Sequence, residues 1–88
     1  MSQTTADLLR ASLASLNPLA ISIKDESHRH VGHAGANGGG HFRLEIISAA
    51  FTGKNTVTRH RMVYDAAQNL MHQEIHALSI GAFAPNEV

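Results

Sequence analysis

Between Thr56 and Met71, side chains recur at the spacing of a helix. Val57, His60, Val63, Tyr64, Ala67, Leu70 and Met71 fall on one broad face, and no other stretch of the chain is as strongly periodic. Runs that alternate every second residue lie on both sides of it. Phe42, Leu44 and Ile46 alternate with Arg43 and Glu45 before the helix. After it, His76, Leu78, Ile80 and Ala82 alternate with Ala77, Ser79 and Gly81, and Pro85 ends the run. Strand, long helix, strand predicts a right-handed crossover between parallel neighbours. This places His76 on the core side of the last strand, in phase with Leu78 and Ile80.

Upstream, Thr4-Thr5-Ala6-Asp7 fits a helix-start capping pattern, and Ala6, Leu9, Leu13 and Leu16 follow at helical spacing. Asn17-Pro18 stops that helix, because proline disfavours helical backbone in the residue before it. Leu19, Ile21 and Ile23 then alternate with Ala20, Ser22 and Lys24 as a half-buried strand. Phe51-Thr52-Gly53-Lys54-Asn55 reads as a turn. The predicted class is α+β, a single domain over residues 1–88 ordered αββαβ. Two helices cover one face of a three-stranded mixed sheet.

With 88 residues, the chain has little stability to spare beyond what one small core supplies. Seven basic and seven acidic residues cancel, so no net field steers it onto nucleic acid or an anionic membrane. No apolar run approaches the about 20 residues of a membrane span, and the N-terminal residues lack the basic flank and apolar core of a signal peptide. A cytoplasmic protein without membrane attachment is expected. The chain has no cysteine, which excludes disulfides, a thiol nucleophile and a Cys-type zinc site of its own.

The chemistry-bearing segment runs from Ser27 to His41 and is rich in both glycine and histidine. It contains His28, His30, His33 and Gly38-Gly39-Gly40. A loop of about a dozen residues without apolar period is unusual in a small domain unless it serves a function. Imidazole is the commonest protein metal ligand. The loop histidines could gather zinc, copper or nickel, although spacings of two and three residues in a loop set no geometry. The three glycines lack a following GK[ST] and lead into a strand, so they do not form a P-loop. His41 and His60 read as structural, and His72 suits a helix C-terminus. No catalytic constellation emerges. Asp25 and Glu26 are adjacent and would face opposite ways on a strand, and Ser27 and Ser48 lie near histidines only by coincidence of common residues. The chain is not expected to be an enzyme.

Several fragments together resemble the BolA family. They are Asp25-Glu26-Ser27 leading through the histidine loop to His41-Phe42, then Phe51-Thr52-Gly53, Arg59-His60-Arg61-Met62-Val63-Tyr64, and Ile75-His76-Ala77-Leu78. The resemblance spans about residues 8 to 87 and rests on the order and spacing of the fragments. It implies an αββαβ fold similar to type II KH domains. It also implies a monothiol glutaredoxin partner with which a [2Fe-2S] cluster is shared, glutathione being supplied on the partner side. His76 matches the strand histidine that ligates the cluster. The second ligand comes from the loop, where His33 is preferred and His30 is the alternative. Independently of the family, histidines can replace two cysteines on one iron of such a cluster. A cysteine-free chain then needs thiolates from another molecule. Alone, the protein is expected to be a monomer or weak homodimer.

The same resemblance implies a second function, DNA-binding transcriptional regulation through the helix-turn-helix-like segment 51–64. Lys54, Arg59 and Arg61 are the candidate DNA contacts. Arg59 and Arg61 point about 200° apart around a helix, so they form no continuous basic stripe. The cationic supply for phosphates is thin.

Overall fold

The computed structural model describes residues 4–26, 40–71 and 75–88. The loop histidines His28, His30 and His33, and His72 near the end of the expected helix, lie outside the described residues. The first helix, α1 (Thr5–Leu13), starts where the capping pattern put it. The Thr4 hydroxyl accepts from the Asp7 amide at 3.1 Å, while the Asp7 carboxylate accepts from the Thr4 amide at 3.3 Å. Two of the four orphan amides of the helix start are thereby satisfied. The chain tightens into a 3-10 turn at Ala14–Leu16 and leaves it through Asn17, at φ 50° in the left-handed region that asparagine tolerates.

Strand β1 (Ala20–Asp25) follows, then β2 (Gly40–Ile47), helix α2 (Thr56–Ala66) and β3 (Ile75–Phe83). β2 is central. It pairs antiparallel with β1 and parallel with β3, in the order β1-β2-β3. The expected αββαβ architecture with a mixed three-stranded sheet is therefore the observed one. Alternation in β2 sends Phe42, Leu44 and Ile46 into the core, where they meet Leu9 and Leu13 of α1, Val63 and Ala67 at the end of α2, and Leu78 of β3. Ser48, buried at the end of β2, donates to the Leu16 carbonyl and accepts from the Ala50 amide, fastening the end of the α1 unit to the sheet.

Three local expectations need correction. Leu19 lies outside β1 and is 70% exposed; only Ile21 and Ile23 turn towards the core. Phe51, read as part of a turn, ends a short 3-10 segment (Ala49–Phe51) and is fully buried, and the turn proper follows it at Gly53, φ 76°. The second helix ends at Ala66 rather than near Met71. The Ala67 backbone leaves the helical region at φ −100°, ψ 9°, and Met71 already pairs with Ile75 as a parallel bridge. Its buried face is set by the sheet beneath it, through Met62, Val63, Ala66 and Ala67. Val57 precedes that contact and is 60% exposed, and Tyr64 lies at the side, its hydroxyl donating to the Leu78 carbonyl.

Arg59 ties α2 to the chain end. Its guanidinium donates to the Lys54 and Ala82 carbonyls and makes a two-pronged pair with Glu87, at 2.6 and 2.7 Å. That hydrogen bonding, together with a bond from the Ala84 amide, lowers the Glu87 pKa to about 2. A carboxylate with a depressed pKa contributes stability above its ordinary range near 4.5, and that contribution disappears as pH falls towards 2. Glu87→Gln should therefore melt at a lower temperature than the wild type at pH 7. Between about pH 5 and pH 2 its melting temperature should fall less steeply, and parallel acid limbs by circular dichroism would contradict the clamp.

Candidate metal-ligating site

The site is built around an irregularity in strand pairing. Gly40 of β2 stands opposite Ile75, but the next residue, His41, stands opposite Ala77. β3 thus has one residue more than its partner over this step, the signature of a bulge. The surplus residue is His76. Ile75 and Leu78 are three apart and would face opposite ways on a regular strand, yet both are buried. The bulge absorbs the odd residue and leaves His76 exposed. This corrects the expectation that His76 shares the core side with Leu78 and Ile80. It also frees the imidazole from competition with the core, which a ligand for an external metal requires.

His41 is the partner that sequence reasoning missed. It opens the outward series of β2, opposite to Phe42, Leu44 and Ile46, and is half-buried. Its ring centroid lies 5.1 Å from that of His76, with the planes inclined by 38°. The strand alternation could have flagged it, since an imidazole in phase with Arg43 and Glu45 belongs on the outer face. Its nearness to His76 depends on the register and the bulge, which no local pattern contains.

The two rings stand at the end of β2 into which the segment carrying His30 and His33 leads, although those two residues lie outside the described ones. Among the described residues, no group of three histidine, cysteine, aspartate or glutamate side chains is arranged to hold a metal ion. The donor set at hand is imidazole without thiolate. It suits one iron of a [2Fe-2S] cluster and not the whole cluster. The candidate DNA contacts are distributed differently. Lys54, just before α2, and Arg61, in the middle of it, are exposed, whereas the Arg59 side chain is 12% exposed and committed to Glu87 and two carbonyls.

Fold and site define a small α+β protein that presents two imidazoles at one end of an open sheet and has no thiol in its sequence. The family model described as BolA-like protein matches residues 13–87, and the chain belongs to the BolA family. It is 44% identical over 79 residues to SufE-like protein 1, chloroplastic/mitochondrial, of Arabidopsis thaliana, covering 83% of this chain and 21% of that protein. It is 32% identical over 74 residues to the DNA-binding transcriptional regulator BolA of Escherichia coli (strain K12), covering 84% and 69%. The solved structure of BolA1 from Arabidopsis thaliana superposes with a TM-score of 0.85 at 36% identity, over 100% of this chain and 99% of that one. The chain spans less than half the length of the first curated plant relatives. Their names refer to chloroplasts and mitochondria, so the cytoplasmic expectation does not extend to the family as a whole. Among the described residues, no helix is long and apolar enough to cross a membrane.

The bulge separates two neighbouring residues energetically. His76→Ala should change unfolding free energy by less than about 0.5 kcal/mol, as for an exposed side chain. Ile75→Ala should cost about 2–5 kcal/mol, as for a buried aliphatic one. Denaturant unfolding of the two variants checks this, and a large loss in His76→Ala would return that ring to the core.

Proposed function

We propose that this protein is a non-catalytic accessory of iron–sulfur cluster assembly that shares a [2Fe-2S] cluster with a monothiol glutaredoxin. The observation that carries the reading is the exposed imidazole of His76, set outward by the bulge in a chain that has no cysteine. His76 supplies one ligand and His33, or in its place His30, supplies the second. Thiolates of the glutaredoxin and its glutathione hold the other iron. Imidazole in place of thiolate raises the reduction potential of such a centre, as in Rieske proteins. Acid opposes the sharing, because a protonated imidazole cannot bind metal.

DNA-binding regulation is the second reading, favoured by the name of the Escherichia coli relative. With Arg59 engaged by Glu87, it leaves Lys54 and Arg61 as the cations of segment 51–64 free to meet phosphates.

Mixing the protein with cluster-loaded glutaredoxin should change the visible absorption and circular dichroism. His76→Ala should abolish the change, and one of His33→Ala and His30→Ala should weaken it. A wild-type spectrum from His76→Ala would remove that residue as a ligand. In a gel-shift assay, Lys54→Gln/Arg61→Gln should reduce any salt-sensitive DNA binding, and binding that survives unaltered would exclude the helix from the contact.

A further inference from the structure

Both helices pack on one face of the sheet, so the other face is uncovered. Three segments bring polar side chains together at one end of it. His41 opens β2, and His76 is the residue that the bulge in β3 turns outward; their ring centroids are 5.1 Å apart. Glu26 stands across from them. Its amide donates to the His41 carbonyl at 2.8 Å, which continues the antiparallel register of β1 and β2 by one pair. Glu26 is therefore directly opposite His41 on the same face, and side chains so opposed have Cβ atoms about 5 Å apart. The next outward residue on β2 is Arg43, about 7 Å further along the strand, where it opposes Lys24.

The spacing of the two rings is that of ligands on one ion. A zinc–nitrogen bond is about 2.0–2.1 Å long, and the centre of an imidazole lies about 1.1–1.2 Å beyond the bonded nitrogen. Each centroid then stands about 3.2 Å from the metal. Two such rings at the tetrahedral angle are about 5.2 Å apart, against the 5.1 Å observed. At the right angle of a square or octahedral site they would be about 4.5 Å apart, so the geometry favours zinc over copper or nickel. The Glu26 carboxylate adds negative charge beside the ion, and an acceptor of that kind next to a ligating imidazole is what orients such rings. No third donor joins the pair among the described residues. Two of the four positions are thus open, as in exchangeable rather than structural zinc sites.

The geometry points to a mononuclear site in which His41 and His76 chelate one divalent cation of the zinc class. This goes beyond the cluster-sharing reading, which pairs His76 with a loop histidine and leaves His41 unused. The site needs no iron, no sulfide and no partner protein. Because both uses require the His76 ring, an ion held here and a shared cluster exclude one another. Ring packing without metal also occurs at centroid distances of about 4.5–7 Å, and the choice of variants separates the two.

The experiment titrates the full chain with Zn2+ by isothermal calorimetry, after circular dichroism has shown each variant to be folded. The wild type should bind the ion, and His41→Ala and His76→Ala should each weaken binding at least about tenfold, since loss of an outer-shell partner alone costs about 10–100-fold. His41→Phe keeps a ring against His76 but carries no donor nitrogen, and it serves equally if His41→Ala does not fold. It should lose as much affinity as His76→Ala; wild-type affinity there would mean that the rings only pack, and would overturn the site. The variant His28→Ala/His30→Ala/His33→Ala should stay within about threefold of the wild type. A loss in it as large as that of His41→Ala would move the ion to the loop and overturn the site, as would absence of binding in the wild type. The cluster-sharing reading is judged separately, by the visible spectra of His76→Ala and the loop variants with loaded glutaredoxin, so its failure leaves zinc binding standing.

Discussion

Where β2 advances by one residue from Gly40 to His41, β3 advances by two, from Ile75 to Ala77. The site depends on this mismatch. Ile75 and Leu78 both gain the core, which a regular strand would deny to one of them. The residue left over must face solvent, and it is the imidazole. Burying a ring with polar nitrogens would have cost hydrogen-bonding partners, whereas exposing it costs little. The same step brings His76 against His41, so one irregularity both expels the ligand candidate and gives it a neighbour.

Around that step, the helices and the C-terminal turn hold the sheet from one side only. α2 rests on it through Met62, Val63, Ala66 and Ala67. It also reaches the outer edge of β3, where Tyr64 donates to the Leu78 carbonyl and Arg59 to that of Ala82. Those bonds occupy carbonyls that an edge strand would otherwise offer to another chain. Glu87 completes the clamp by pairing with Arg59, whose side chain is 12% exposed. The opposite face has no covering layer, and it is there that the imidazoles and the Lys24–Arg43 pair collect.

Much of this was legible along the chain. The capping pattern at Thr4–Asp7, the alternation in β2 and the helical spacing after Asn55 depend on residues within a few positions of one another, so local sequence carries them. The ordered fragments also pointed to the family. Other features were hidden. Phe51 looked like a turn residue because its neighbours are turn-formers, yet it is fully buried in the core. Arg59 looked like a free helix cation because its partner lies 28 residues away, in a short turn with no pattern of its own. Periodicity gave His76 the wrong face because counting by twos assumes an unbroken ladder.

By itself, the sequence determined the order of elements, the mixed sheet that a strand–helix–strand crossover entails, and a donor set of imidazoles without thiols. Only the tertiary structure decided that His76 points outward beside His41, that Arg59 is spent on Glu87, and that Lys24 opposes Arg43. The reason is physical. Composition and periodicity are properties of one segment, whereas register and bulges arise when two segments distant in the chain must satisfy the same hydrogen bonds and share one core.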